Sequence, residues 1–329
     1  MRALILPRYG AGAKFEMADL PTPALSAGHA LVRVVSAGVN PIDCKLRRNG
    51  GALAPSPPAI LGSDFAGVVE EVAPDVTTFS TGDEVYGCAG GVAGMPGGSL
   101  AELMAADVRL MARKPQRLTF REAAALPLVV ITAKEGLERA VLKPGQRLLV
   151  LGGAGGVGHV AVQLGKHHGA HVTATAQEAK AGIAAALGAD AVIGHHDFDT
   201  SGYDIVFDAA GQDSIEPAVA AVKNGGHVIA ISGRAGQNLQ MASRKGLTLH
   251  FVFMILPMLT GEGRAEHHRM LTEVARIADA GALRALVDPR RFSWETADDA
   301  YDLVEARGAS GKVVIDLDPD RADLRRLKY

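Results

Sequence analysis

Cysteine is nearly absent from this chain: Cys44 and Cys88 are the only two among 329 residues. Two thiols make neither a disulfide framework nor a four-cysteine metal lobe. Long apolar runs are missing too. The longest candidate, residues 247–259, is interrupted by His250 and Pro257 and falls short of the ~20 apolar residues a spanning helix needs. Residues 1–7 carry one Arg and too short an apolar run for the core of a leader peptide. Neither sign of charge dominates. Lys and Arg number 34 against 36 Asp and Glu, a formal net charge of −2, so no electrostatic footprint for nucleic acid or an anionic membrane is present. The expectation is a cytoplasmic protein with a small-molecule substrate and no nucleic-acid or membrane partner.

Apolar residues are plentiful at 48%, enough for a sizeable core. The length suits about two domains on a prior of ~100–200 residues each. Residues 30–36 (ALVRVVS) and 66–72 (AGVVEEV) read as strands in a β-rich first third. The segment 87–99 (GCAGGVAGMPGGS) is too rich in glycine for a helix and is expected to be a mobile loop, either a solvated linker or a loop near a site. The pattern changes from residue 120. Helices are expected over 121–130 and 132–139. Then short apolar strands alternate with Ala-rich helices: strand 147–151 (RLLVL) and helix 156–168, strand 171–175 (HVTAT) and helix 178–187. Further strands fall at 191–193, 204–207, 228–231 and 248–253. This alternation implies a parallel, doubly wound sheet. A helix at 297–305 and a strand at 312–315 (KVVI) close the chain.

Gly153-Ala154-Gly155-Gly156-Val157-Gly158 fits G-x-G-x-x-G, and it lies between a strand and a helix as a dinucleotide loop requires. On this reading Gly153 makes the tight turn, Gly155 admits a pyrophosphate and Gly158 permits close packing. The second strand ends Thr173-Ala174-Thr175-Ala176 without the Asp or Glu that meets the ribose of NAD. An acid there would repel a 2′-phosphate, so its absence permits NADPH. Lys180, a few residues on, is a candidate partner for that phosphate, with Glu178 beside it as a possible opponent.

Several short motifs, in order, resemble the medium-chain dehydrogenase/reductase superfamily: Ala37-Gly38-Val39-Asn40-Pro41-Ile42-Asp43, Leu61-Gly62-Ser63-Asp64-Phe65-Ala66-Gly67, Gly82-Asp83-Glu84-Val85-Tyr86-Gly87, the glycine loop, and Gly311-Lys312-Val313-Val314. The resemblance implies a GroES-like barrel domain, residues 1–120 and 261–329, with a Rossmann NADP-binding domain, residues 121–260, inserted between its parts. Zinc-dependent alcohol dehydrogenases of the superfamily carry Cys where this chain has Asn40, His where it has Ser63, and a hydroxyl relay where it has Ile42. A third zinc ligand has no counterpart around residues 126–128. Catalytic zinc needs about three protein ligands, so no metal is expected. The adjacent pairs His167-His168 and His267-His268 suit surface positions rather than a shared metal.

This pattern is similar to the zinc-free quinone oxidoreductases and related alkene reductases. A homodimer is expected, because the apolar strand 248–255 falls late in the parallel sheet, where its edge should lie, and pairing with a two-fold mate would cover that edge. The leading function is NADPH-dependent hydride transfer to a quinone. The alternatives are an alkenal, enone or enoyl reductase and a non-catalytic NADPH-binding sensor or structural protein. By resemblance, Asn40 lies near the nicotinamide as a donor, and Lys45 replaces a family Tyr as a further catalytic candidate. Thr132 matches a Thr that faces the nicotinamide, though Lys134 replaces the Tyr that follows it in the family. His195 falls where a Tyr often approaches the adenosine phosphate. Phe251 and Phe253 follow the last Rossmann strand, where the backbone often contacts the carboxamide; a plain core role suits both equally.

Overall fold

The computed structural model describes residues 1–195, 197, 202–211, 215–232 and 237–325. It divides into two compact units. One joins Met1–Leu128 to the segment from Ile255 onward; the other is Val129–Met254.

The first unit opens with an antiparallel ribbon of β1 (Arg2–Ile5) and β2 (Glu16–Asp19). Its main sheet is organised by β3 (His29–Val39), whose run of buried apolar residues leads directly into α1 (Pro41–Asn49). Pro41 suits that start because a first-turn proline has no hydrogen bond to lose. Then follow β4 (Asp64–Val72), β5 (Glu84–Cys88), β6 (Leu103–Asp107), β7 (Met111–Arg113) and the short helix α2 (Phe120–Ala124). Thr119 begins α2 with a capping box: its hydroxyl accepts from the Glu122 N–H at 3.0 Å, and the Glu122 carboxylate accepts from the Thr119 N–H at 2.9 Å. The single helix expected over 121–130 is two, because Pro127 starts a new one.

The second unit holds α3 (Pro127–Arg139, whose first turn belongs to the first unit), β8 (Arg147–Leu151), α4 (Gly158–His167), β9 (His171–Thr175), α5 (Glu178–Ala186), β10 (Ala191–Ile193), β11 (Tyr203–Asp208), α6 (Glu216–Ala221), β12 (Val222–Ala230), α7 (Gln240–Arg244) and β13 (Thr248–Phe251). The strands form one parallel sheet in the order β10-β9-β8-β11-β12-β13. Numbered within the unit, that is 3-2-1-4-5-6, the Rossmann order, which reverses beside its first strand. The central strands are buried on both faces, which explains their unbroken apolar runs.

The chain then returns to the first unit with α8 (Leu256–Thr260), α9 (Arg264–Asp279), α10 (Ala297–Glu305), β14 (Val313–Asp316) and α11 (Pro319–Ala322). β14 pairs antiparallel with the end of β3, Val313 opposite Val39, in a sheet ordered β14-β3-β4-β5-β7 with β6 also on β3. The Arg121 guanidinium holds Asp316 at 2.6 Å, and both side chains are buried. That bond places α2 with the first unit, so the unit boundary lies a few residues beyond the one expected at 120.

Two expectations are corrected here. The glycine-rich segment 87–99 is not a solvated linker. Gly87–Val92 and Gly98–Ser99 are buried, and the Ser99 N–H donates to the Gly62 carbonyl at 2.9 Å. Glycine recurs there because backbone packs on backbone: a side-chain carbon at Gly98 would overlap the Leu61 carbonyl. His267 is buried rather than on the surface, because it lies on the same face of α9 as the core residues Met270 and Leu271.

Candidate active site

At the C-terminal end of β3 the chain turns into α1 through Asn40, which is fully buried. Its N–H donates to the Asp43 carboxylate at 2.8 Å, an N-terminal helix bond. Its side-chain amide donates to Asp64 at 2.9 Å, and its side-chain carbonyl accepts from the Lys312 ammonium. Lys312 also donates to the Val39 carbonyl at 3.1 Å. The Ser63 hydroxyl donates to Asp43 at 2.9 Å, and Asp64 accepts from the Leu128 N–H at 2.9 Å. The cluster thus draws on β3, α1, β4, the start of α3 and the residue before β14.

Asn40, Asp43, Ser63 and Asp64 are all sealed from solvent, and Lys312 is nearly so. Burial pushes the Asp43 carboxyl up to about 6, and the neighbouring Asp64 adds to the effect. Burial raises Asp64 too, against the pull of Lys312, and lowers Lys312. A divalent metal does not fit here. The carboxylates and the Asn40 carbonyl already accept from protein donors, and an ammonium ion stands among them. Among the described residues, no group of three or more His, Cys, Asp or Glu could hold a metal ion.

Asn40 is therefore an ordering residue as it stands, held at both ends of its amide. Its burial follows from its place at the junction of β3 and α1. Lys45 sits on the exposed side of α1. Lys312 is the member of the cluster to which its short motif, residues 311–314, gave no role. A lysine leading directly into the apolar run Val313-Val314-Ile315 was the available signal, since a charge buried with that run needs partners.

The second constellation lies at the carboxyl ends of β8, β9 and β10. The tight turn falls on Gly152, at φ +77°, one residue before the position expected. Gly153 instead packs the loop on β9: its N–H donates to the Thr175 carbonyl at 2.9 Å, and a side chain there would strike Ala174. A side chain at Gly158 would overlap the Gly152 carbonyl, so the loop's two ends touch. The helix starts at Gly158, two residues later than expected. Ala154 is buried, while Gly155 is exposed and Gly156 and Val157 are partly so. Among the described residues, the N–H groups of Gly156 and Val157 have no acceptor in the protein. Open amides before a helix suit a phosphate group.

Thr175 accepts from the Gly152 N–H through its hydroxyl oxygen at 2.9 Å, and the same oxygen lies 3.0 Å from Nδ1 of His195. The parallel register sets Thr175 beside Ile193, which brings His195 to the same end of the sheet. Lys180 is partly buried in the first turn of α5. The structure thus brings together the glycine loop, Thr175 and His195, and Lys180 follows five residues after Thr175 in the chain.

The other candidates are on α3 and at or just beyond the end of β13. Thr132 is buried within α3, and Lys134 is buried and ion-paired with Glu138 at 2.9 Å. Phe251 and Phe253 are 55% and 47% exposed, not core residues; Phe251 ends β13, the sheet's edge strand, and Phe253 follows it. The Phe251 carbonyl accepts from Arg139 at 2.8 Å.

Two family profiles match this sequence: an alcohol dehydrogenase GroES-like domain over residues 26–116 and a zinc-binding dehydrogenase over residues 187–315. A 2-methylene-furan-3-one reductase of Solanum lycopersicum is 37% identical over 309 residues, 90% of this chain and 74% of that protein. The chain belongs to the medium-chain dehydrogenase/reductase superfamily. Within it, a chloroplastic NADPH-dependent alkenal/one oxidoreductase of Arabidopsis thaliana is 35% identical over 328 residues, 96% of this chain and 79% of that one. Among solved structures, an alcohol dehydrogenase superfamily protein from Novosphingobium aromaticivorans superposes with a TM-score of 0.91 at 38% identity, covering 96% of this chain and 99% of that one. A quinone oxidoreductase from Coxiella burnetii gives 0.81 at 29% identity, covering 96% and 99%. The superfamily's GroES-like and Rossmann folds correspond to the first and second units described above. No helix among the described residues is long and apolar enough to cross a membrane.

Proposed function

We propose that this protein is a zinc-independent, NADPH-dependent reductase that delivers hydride to the electron-poor carbon of an α,β-unsaturated carbonyl compound. The observation that carries the reading is the buried Asn40–Lys312–Asp64 cluster, in which Asn40 stands where the zinc-dependent relatives carry a Cys ligand and is bonded instead to a carboxylate and an ammonium. Oxidising an alcohol requires its proton to leave, which a metal or a hydroxyl relay assists; Asn40, Ser63 and Ile42 supply neither. An enone accepts hydride without such help. The two curated relatives named above are, by their names, a methylene-furanone reductase and an alkenal/one oxidoreductase, and these names support the activated alkene as the first reading. Reduction of quinones is the second reading, favoured by the likeness to the Coxiella enzyme.

Bound NADPH supplies the hydride. The open amides of Gly156 and Val157 hold its pyrophosphate, while Thr175 keeps the second strand's end free of an acid and Lys180 and His195 take the 2′-phosphate. The cluster around Asn40 holds α1 in place, and Lys45 on that helix's exposed side, or solvent, returns the proton to the reduced product. The protein works as a homodimer paired along β13, whose exposed edge carries Phe251. The test is NADPH oxidation by purified protein against panels of enones, quinones and alcohols. Turnover of enones is expected. Efficient alcohol oxidation with NADP⁺, with enones and quinones ignored, would overturn the reading.

A further inference from the structure

His159 lies in the first turn of α4, directly behind the glycine loop, and is fully buried. Its Nδ1 is 3.1 Å from the Gly155 carbonyl oxygen. A carbonyl only accepts, so Nδ1 carries the proton and donates. The His159 backbone N–H donates to the same oxygen at 3.1 Å. One carbonyl is thus held from two directions by one residue. The His159 backbone is held in turn: Gln163 is buried one helical turn on, and its side-chain amide donates to the His159 backbone carbonyl at 2.9 Å.

The consequence follows from peptide geometry. In a planar trans peptide, the carbonyl of one residue and the N–H of the next point in opposite directions. Drawing the Gly155 carbonyl toward the helix therefore turns the Gly156 N–H outward. That N–H has no acceptor in the protein among the described residues. Gly155 lacks a side chain to fix this peptide and is itself exposed, so the bonds to His159 restrict a plane that glycine leaves freest.

We infer that His159 is a positioning residue for the cofactor, acting through Gly155 to aim the Gly156 amide at the pyrophosphate. The inference rests on the reading that this loop binds NADPH. It assigns the ring no contact with the ligand. It predicts a specific chemical requirement: an N–H donor at the place of Nδ1. Asparagine sets its amide nitrogen close to that place, phenylalanine keeps the ring without the donor, and glutamine carries the donor further out.

The test is calorimetric binding of NADPH and of adenosine 2′-monophosphate, which lacks the pyrophosphate, to the full-length protein and its variants. His159→Phe is expected to weaken NADPH roughly three- to tenfold, the worth of one ordinary hydrogen bond, and to leave the monophosphate unchanged. His159→Asn is expected to bind NADPH within about twofold of the parent, because its donor is retained. His159→Gln provides the donor-displaced comparison if the Phe variant does not fold, and it should behave as the Phe variant does. Unchanged NADPH affinity without the donor, or equal weakening of both ligands, overturns the inference while the NADPH reading stands. A parent protein that binds no NADPH overturns both.

Discussion

Lys312 and Asn40 are 272 residues apart in the chain, yet the ammonium of one donates directly to the side-chain carbonyl of the other in the buried centre of the first unit. The contact exists because β14 pairs with the end of β3, setting Val313 opposite Val39. Asn40 passes the link on to Asp64, which lies 3.9 Å from the ammonium itself. Losing one partner of such a buried set leaves the other charged and unsatisfied. Lys312→Met should therefore lower the unfolding free energy by about 3–5 kcal/mol in denaturant melts. Adding Asp64→Asn should cost less than its separate effect, with a coupling of at least about 1 kcal/mol. Simple additivity would show that the charges are not coupled.

Asp43 predicts a pH dependence of definite sign. Its carboxyl is raised to about 6 in the folded protein, above its ordinary value of 3.8. The folded state therefore holds the proton more tightly than the unfolded state. This contribution to stability falls as pH rises from about 4 to about 6 and is flat above. Asp43→Asn removes it, yet its amide can still accept from the Asn40 N–H while donating to Ser63. Melts of the parent and the Asn variant across that window should converge at low pH and diverge, in the variant's favour, toward neutrality. A parallel pair of curves would count against the assignment.

The edge strand carries a dependence of opposite sign. His227 and His250 face each other across β12 and β13 with ring nitrogens 2.9 Å apart. Their ring centres are 5.2 Å apart and their planes differ by 13°. That separation is reached only when the two nitrogens lie on the line between the centres, so the rings meet end to end rather than stacking by their faces. One proton serves that junction, and two would collide. Burial lowers His250 below its ordinary value, with His227 and the Arg139 guanidinium adding to the effect. Arg139 itself pairs with Glu135. A base lowered in the folded state stabilises above its unfolded value and loses that contribution as pH falls below it. The melting temperature should drop between about pH 7 and pH 5, and the drop should be smaller in His250→Gln. An identical drop in both would remove this pair as its source.

Cofactor choice depends on Lys180 under the proposed function. Lys180→Ala should weaken NADPH by about 1–3 kcal/mol and leave NADH nearly unchanged, measured by direct titration. Equal affinity for the two cofactors in the parent would contradict an NADPH preference.

Assembly depends on β13. Phe253→Asp places a charge beside the exposed edge and should shift the light-scattering mass from two chains toward one. A parent mass of a single chain at all concentrations would rule the dimer out.

The order of strands and helices was legible in the sequence because buried parallel strands leave continuous apolar runs, as in residues 147–151 and 204–207. The helix over Ala297–Glu305 also falls where its pattern puts it. The glycine loop could be found because its chemistry is local: a strand, a turn and a helix adjacent in the chain. The details within it were not, since the turn falls on Gly152 and Gly153 packs on Ala174 of the next strand.

What the sequence by itself determined is the fold class, the glycine loop between a strand and a helix, and the absence of zinc-ligand residue types at positions 40 and 63. Only the tertiary structure decided that Phe251 at the end of β13 and Phe253 two residues beyond it are exposed, because a phenylalanine suits a core equally well and its type does not say which way it faces. Only the tertiary structure joined Lys312 to Asn40 and Asp64, and it thereby changed Asn40 from an open donor into a sealed, ordering one. The physical reason is that a buried charge is tolerable only where partners converge on it, and those partners come from segments that meet only once both ends of the chain have entered one sheet.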